Sequence, residues 1–330
     1  MRYLLLHFVV VCLLTACTQP SPPASAPETA AADPLKVVFV TGDEEYRSEE
    51  SMPLLARMLE ANLGGAVETQ VLFAQDSAGI VDPNVLDNIP GLEALEEADL
   101  LVLFTRYRQL PPEQARYITD YAESGRPMVG FRTATHAFKY PDDADSSQLA
   151  LNNDWPTRVF GQQWIVHHGH FADGHDPLTE VTVRADKVEH PILRGVTGFP
   201  AYSWLYHVDG GDWKLHGDAE PLLMGHSLRS KRAEEGTLDK YPLDNPVAWT
   251  KTYTGESGIP ARVFFTTLGH PYDFQNENMR RLALNGLLWA LGQEHSIPEA
   301  GMDAAVVGTY APNNSGFGDK FKAGRRPAEF

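Results

Sequence analysis

The sequence predicts an α/β protein whose open, mostly parallel sheet carries helices on both faces. Short apolar runs, typical of strands buried on both faces, alternate along the chain with segments of helical periodicity. This alternation of strand and helix indicates a parallel sheet connected by crossover helices. A less regular middle region predicts inserted loops and short strands over one edge of that sheet.

The first half of the chain contains the clearest elements. An apolar run closed by Gly42 predicts a strand over 35–42. A helix follows, in which Ser48 can cap the N-terminus and the pair Gly64-Gly65 ends the helical spacing. The same alternation then predicts strands over 67–74, 99–105 and 127–131, with helical segments over 92–98 and 112–124.

The second half of the chain begins with a long region that is rich in Asp, Gly, Pro, His and Trp. We expect loops over most of 139–244, with one clear strand over 180–184. Regular structure returns with two predicted strands, over 247–253 and 262–267, and a helix over 278–291. The remaining segment, 294–330, lacks sustained periodicity and is predicted to be an irregular tail.

The N-terminus has the pattern of a bacterial lipoprotein signal. Arg2 precedes an apolar run that is too short to cross a membrane, and the run ends in the lipobox Leu14-Thr15-Ala16-Cys17. We therefore expect a signal segment over 1–17 and a lipid anchor on Cys17, which would tie an exported protein to the cell envelope. An uncleaved anchor is the alternative. Thr18 replaces the Asp that signals inner-membrane retention, so the outer membrane and periplasm are favoured.

Composition excludes several classes of function. Residues 18–34 are mostly Pro, Ala, Ser and Thr, which predicts an extended tether. Both cysteines, Cys12 and Cys17, precede it, so the folded part has no thiol for a nucleophile, disulfide or iron–sulfur cluster. A formal charge of −17 argues against nucleic-acid binding. Serine-hydrolase, P-loop and dinucleotide-binding motifs are also absent.

Polar side chains follow three of the predicted strands. Because ligands bind outside the carboxyl ends of parallel strands, we expect these loops to converge on one site. His136 and His270 are candidate acid/base groups, and Arg132 is a candidate for stabilising an oxygen atom of the substrate. A structural imidazole is the alternative for each histidine, and an acidic helix cap is the alternative for the first loop. The substrate-binding candidates in these loops are Asp43, Glu45, Tyr46 and Thr135.

The stretch WIVHHGH, at 164–170, contains three histidines in four positions. In an extended chain His168 and His170 point to one face and His167 to the other. His168 is thus a substrate-binding candidate, and with His170 it could bind a divalent metal if a third ligand came from elsewhere. The spacing matches no established metal signature, so no cofactor is firmly indicated. Trp164 and Tyr206 are candidates for stacking on a sugar, with ordinary core packing as their alternative.

An ordered series of motifs resembles the ThuA-like, trehalose-utilisation family over residues 35–293. The motifs are GDEEYRSEESMP, GFRTATHAF, WIVHHGH, HPILRGV, NPVAWTKTY, ARVFFTTLGHPYDF and RRLALNGLLWALG. The resemblance implies a flavodoxin-like fold similar to that of class I glutamine amidotransferases. Those enzymes carry a cysteine nucleophile on a tight turn, where this chain has Arg132. A cysteine-dependent amidotransferase is therefore excluded.

The resemblance also implies a place in bacterial carbohydrate catabolism. The leading hypothesis is a protein that binds or converts a disaccharide, a glycoside or its 3-keto derivative, as a lyase, isomerase or hydrolase using histidine acid/base chemistry. A non-catalytic carbohydrate-binding protein is one alternative. A metal-dependent hydrolase centred on His168 and His170 is another. The sequence leaves the reaction type, the sugar and the oligomeric state open.

Overall fold

The apolar run at the start of the folded part forms the first strand of the sheet, which pairs with a neighbour on each side. The computed structural model describes residues 33–169, 171, 174–208 and 215–330, apart from the side chain of Asn153. The predicted signal segment with Cys17, nearly all of the tether and His170 lie outside the described residues. Strand β1 (Leu35–Gly42) lies between β2 (Val67–Leu72) and β3 (Leu100–Thr105) and pairs with both in parallel.

The described residues contain one nine-stranded sheet in the order β2-β1-β3-β4-β9-β8-β7-β5-β6. Only β8 and β5 run against the other seven strands, because each is antiparallel to both of its neighbours. The sheet is thus mostly parallel in direction, and the predicted fold class is confirmed. The remaining strands are β4 (Met128–Phe131), β5 (Thr179–Val183), β6 (Phe199–Ala201), β7 (Glu220–Ser227), β8 (Asp244–Thr254) and β9 (Pro260–Thr266).

Helices cover both faces of the sheet, as the alternation of the sequence predicts. Alternate residues of β1 enter two different cores: Val37 and Phe39 pack on one side, Val38 and Val40 on the other. The first core is closed by α1 (Ser48–Leu63) and α5 (Glu277–Ala290), the second by α2 (Pro112–Glu123) and α3 (Ser146–Phe160). Burial on both faces explains why the central strands are continuously apolar.

Three features of the local structure differ from the predictions. Helix α3 was not predicted, although Asp145 caps it by accepting the backbone N–H groups of Ser147 and Gln148, at 3.0 and 2.9 Å. The short helix α4 (Lys231–Glu234) was not predicted either, whereas β6 and β7 agree with the short strands expected in the same region. Ser48 does not cap α1: Arg47, at φ 56°, is the cap residue, and the Ser48 hydroxyl accepts the Gly42 N–H.

The C-terminal segment 294–330 is irregular and packs on the domain, with which it forms one compact unit over Pro34–Phe330. Tyr310 donates a hydrogen bond of 2.8 Å to the carbonyl of Pro271, and the ring of Phe330 lies 5.5 Å from that of Phe73. Within the described part of the chain, no helix is both long and apolar enough to span a bilayer.

Candidate active site

A cavity of about 200 Å³ lies where the carboxyl ends of β1, β3 and β4 meet. This is the edge at which ligands bind in open parallel sheets. A wider hollow of about 450 Å³ is lined by the amino-terminal residues of β1 and β2, and its lining includes neither histidine nor an aromatic residue. We therefore place the candidate site in the smaller cavity, which is lined by Glu45, Tyr46, Arg106, Tyr107, His136, Trp164, His167, Tyr206 and Phe317.

Asp43 shapes the loop after β1 and does not line the cavity. One of its carboxylate oxygens accepts the N–H groups of Glu45 and Tyr46, at 2.7 and 2.9 Å, and the other accepts the hydroxyl of Thr133. Asp43 is completely buried, so these three donors satisfy a carboxylate that water does not reach. The tight turn that results directs Glu45 and Tyr46 to the cavity.

Glu45 has a carboxyl pKa close to neutral pH. Burial raises the pKa of its carboxyl to about 7, against the opposing pull of the Arg106 guanidinium. The two side chains form an ion pair of 3.2 Å between Arg106 Nε and Glu45 Oε2. Arg106 also pairs with Glu44, whose other oxygen accepts a hydrogen bond from Arg108 at 2.9 Å. The loops after β1 and β3 are thereby tied together.

Arg132 lies behind the cavity wall. It has a left-handed backbone, at φ 40°, and a fully buried guanidinium that donates to the Thr267 carbonyl at 2.8 Å and to the Tyr46 hydroxyl at 3.0 Å. Its carbon Cζ lies 4.1 Å from the ring centre of Tyr46 and 4.6 Å from that of Tyr206. Arg132 thus acts on the cavity through two tyrosines that line it.

The Thr135 hydroxyl lies close to two possible hydrogen-bond acceptors. Its oxygen is 3.1 Å from the carbonyl oxygen of Arg132 and 3.0 Å from His136 Nδ1. With its single proton assigned to the Arg132 carbonyl, Nδ1 of His136 donates to Thr135 Oγ1, and Nε2 keeps its lone pair. Burial, together with the nearby cations of Arg106 and Arg132, lowers the pKa of His136 well below its usual range. His136 is therefore a neutral imidazole at physiological pH.

His270 does not line the cavity, and both of its ring nitrogens are used in the structure. Nδ1 accepts the N–H of Tyr272 at 3.1 Å, and Nε2 lies 2.9 Å from the hydroxyl of Ser315 in the C-terminal segment. Burial lowers the pKa of His270 to about 3, with a further contribution from Arg132. A neutral, fully bonded imidazole at this position connects the loop after β9 to the tail.

In the WIVHHGH stretch, His167 and His168 point to opposite sides as expected, but His167 lines the cavity and His168 does not. His167 lines the cavity and stacks on Trp204, with ring centres 5.2 Å apart. His168 is buried, with its Nδ1 2.7 Å from the Ser230 hydroxyl, and burial lowers its pKa to about 4. His170 lies outside the described residues. In the part of the chain that is described, no three His, Cys, Asp or Glu side chains could hold a metal.

Aromatic rings enclose His136 within the cavity. The ring centres of Tyr107, Trp164 and Tyr206 lie 5.0, 5.4 and 6.3 Å from that of His136. The structure thus brings together five of the predicted residues, namely Glu45, Tyr46, His136, Trp164 and Tyr206. It places the others outside the cavity lining, namely Asp43, Arg132, Thr135, His168 and His270.

Four lining residues were not predicted from the sequence. Arg106 and Tyr107 directly follow β3, so the rule that selected the loops after the other strands would also have selected them. His167 was assigned to the opposite face of its strand. Phe317 comes from the C-terminal segment, whose sequence shows no pattern that places it near the strands.

Comparisons with known proteins identify the family of this chain. A ThuA-like protein of Bacteroides uniformis is similar in structure with a TM-score of 0.49 and 17% identity, over 81% of this chain and 95% of its own. A ThuA-like protein of Parabacteroides merdae gives a TM-score of 0.48 and 18% identity, over 78% and 90%. No curated protein matches at a significant level. The family model of ThuA, described as trehalose utilisation, matches residues 36–290, so this protein belongs to the ThuA family and has a carbohydrate-related function.

Proposed function

We propose that the protein is a lyase that acts on a disaccharide or glycoside carrying a ketone at C3, with His136 as the general base. One observation carries this proposal: a neutral His136 lines the aromatic cavity, and the assignment of its Nδ1 proton to Thr135 leaves the Nε2 lone pair available there. A neutral imidazole is the form of histidine that accepts a proton. Glu45 lines the same cavity, with a pKa of about 7 that keeps it partly protonated at neutral pH.

The proposed reaction uses these two groups in sequence. A ketone at C3 acidifies the C2–H bond, because the electron pair left at C2 delocalises onto the ketone oxygen. His136 Nε2 takes the C2 proton, and the enolate then expels the group at C1 as the C1–O bond breaks. Glu45 donates its proton to the departing oxygen. The products are an unsaturated keto sugar and the free alcohol, and a proton passing from His136 back to Glu45 restores the protein.

We assign Tyr46 the role of stabilising the enolate oxygen. Its hydroxyl accepts a hydrogen bond from Arg132 and bonds with the Glu45 carboxyl, so in this proposal its proton turns from Glu45 to the enolate oxygen when the substrate binds. Burial raises the pKa of Tyr46 well above its usual range, which keeps that proton in place at neutral pH. We assign Arg132 the supporting role of polarising Tyr46, in a buried setting where charge acts strongly.

The size of the cavity favours a single sugar ring. Pockets for drug-sized ligands occupy roughly 300–1,000 Å³, and about 200 Å³ is available here. Rings of Tyr107, Trp164 and Tyr206 around His136 provide the flat apolar surfaces on which the C–H face of a sugar stacks. One keto sugar ring therefore fills the cavity, and any second ring extends beyond it.

Proton NMR of the purified protein mixed with trehalose or with 3-keto-trehalose, each with and without a chelator, tests this proposal. We expect the keto sugar to be consumed in both conditions and trehalose to remain unchanged. Saturable binding of either sugar without product would support the non-catalytic carbohydrate-binding alternative. Consumption that stops in the chelator would instead support a metal-dependent hydrolase that uses histidines of the WIVHHGH stretch.

The proposal also includes a location. A lipid on Cys17 would hold the folded part at the cell envelope, with residues 18–34 as the tether, on the periplasmic face of the outer membrane. This arrangement is supported by the lipobox and by the composition of the tether. A site at the envelope would meet sugars before they enter the cytoplasm.

A further inference from the structure

The C-terminal segment supplies one wall of the cavity. Phe317 lines it, although this residue lies beyond 36–290, the part of the chain that matches the family model. Its side chain is 52% exposed, whereas Tyr46 and Tyr206 in the same lining are almost completely buried. Phe317 therefore contributes to the cavity lining while about half of its surface stays open to solvent.

Several hydrogen bonds hold the backbone beside Phe317 in place. The Gly316 N–H donates to the Glu45 carbonyl at 2.8 Å, and the Gly316 carbonyl accepts from Arg47 at 2.7 Å. Next to them, the Ser315 hydroxyl pairs with Nε2 of His270 at 2.9 Å. Ser315 and Arg47 are both buried. The segment is thus fixed to the loops after β1 and β9, which makes Phe317 a fixed part of the cavity wall.

The ring of Phe317 also contacts a cation of the cavity lining. The guanidinium carbon of Arg106 lies 5.0 Å from the ring centre of Phe317 and 4.1 Å from that of Tyr107. At these distances the cation attracts both rings. The remaining exposed surface of Phe317 is then a preformed apolar platform at the edge of the site.

We propose that Phe317 is the platform for the leaving group, on which the second ring of a disaccharide or cyclic glycoside stacks. This inference rests on the proposed function, in which one keto sugar ring fills the cavity of about 200 Å³. The group at C1 then has to extend past the mouth, where Phe317 is exposed. The substrate class is accordingly glycosides whose leaving group has a flat apolar face, in preference to simple alkyl glycosides.

Steady-state kinetics of the full chain on 3-keto-trehalose and on methyl 3-keto-α-glucoside test the platform. We expect Phe317→Ala to lower kcat/KM for 3-keto-trehalose about tenfold more than it lowers kcat/KM for the methyl glycoside, a difference that corresponds to about 1.4 kcal/mol. Phe317→Trp should restore the activity on 3-keto-trehalose. Ile259→Ala, which removes an equally exposed apolar side chain elsewhere, is the matched control.

Two results would overturn the inference. An equal loss on both substrates would show that Phe317 only supports the cavity, and no loss on either would show that it has no role. If the wild type consumes neither keto sugar, the proposed reaction has failed, and saturation-transfer NMR with trehalose and methyl α-glucoside decides the platform separately. If Phe317→Ala weakens the saturation-transfer signal of trehalose more than that of methyl α-glucoside, the platform is supported. If both signals weaken equally, or if neither sugar gives a signal, the platform is refuted.

Discussion

His136 and Glu45 line the same cavity, and burial shifts their pKa values in opposite directions. At neutral pH the neutral His136 can therefore accept a proton, and the partly protonated Glu45 can donate one. His136→Gln keeps the polar surface but removes the base, so we expect kcat/KM on 3-keto-trehalose to fall at least about 100-fold. The exposed His226 provides the control, because His226→Gln should retain activity. A similar loss in both variants would contradict the role of His136.

The pH profile tests Glu45 as the acid. Glu45 donates its proton only while protonated, so kcat/KM should fall as pH rises above about 7. His136 stays neutral over the same range, because its pKa lies well below the usual value, so activity should persist on the acid side of 7. Glu45→Gln should remove the fall above pH 7 and lower the rate. With a 4-nitrophenyl leaving group, which departs without a proton, Glu45→Gln should lower the rate only slightly. An equal decrease in rate for all leaving groups would reject Glu45 as the acid.

The same buried carboxyls make stability depend on pH. Burial raises the pKa of Glu45 and of Glu49 to about 7 from an ordinary value of 4.5. A group that binds its proton more tightly when folded favours folding least once both states are ionised, so these two carboxyls contribute a fall in the free energy of unfolding as pH rises from 4.5 through 7. Each shift corresponds to roughly 3 kcal/mol at most. The buried His136, His168 and His270 have lowered pKa values and contribute a rise up to their ordinary pKa of 6.5, so the test compares a variant with the wild type at each pH. In urea unfolding, the free energy of unfolding of Glu45→Gln relative to the wild type should be higher at pH 8 than at pH 5. An equal difference at the two pH values would argue against the raised pKa.

At the scale of elements, the packing of α5 on β9 depends on a glycine. A Cβ at Gly286 would lie 2.3 Å from Cδ1 of Phe264, much closer than van der Waals contact allows. Alanine favours a helix over glycine by about 1 kcal/mol, but overpacking of a core costs typically 1–3 kcal/mol. We therefore expect Gly286→Ala to lower the free energy of unfolding by roughly 1 kcal/mol, as measured with urea. Gly65→Ala has open space around the new methyl group and is the control, and a stabilised Gly286→Ala would show that α5 can move away from β9.

Local sequence patterns predicted the strands of the first half of the chain well. In the first half of the chain, each central strand is a continuous apolar run, and the predicted ends agree with the structure to within three residues. Helix α3 was missed because Pro156 and several Asp and Asn residues argue against a helix, whereas packing of Trp155 in the core stabilises one. Ser48 was predicted to cap α1 from its type alone, but its hydroxyl binds the backbone at the end of β1.

At the scale of the whole molecule, the proposed lipid anchor is the feature to test first. In a Gram-negative host that expresses the full chain, we expect labelled palmitate to be incorporated and the protein to fractionate with membranes. Cys17→Ala removes the atom that carries the lipid, and should abolish both the label and the membrane association. If Cys17→Ala stays in the membrane fraction, the apolar run over 4–14 is an uncleaved anchor and the lipoprotein assignment is wrong.

The sequence alone determined the fold class, the family and the edge of the sheet at which the candidate cavity lies. These follow from the period of apolar residues, the ordered motifs and the rule that the carboxyl ends of parallel strands converge. Tertiary structure decided which side chains reach the cavity: His136 lines it, whereas His270 is held by Ser315 and Tyr272. It also brought Phe317 to the site from a segment without periodicity. Such contacts join residues far apart in the chain, so no local pattern contains them.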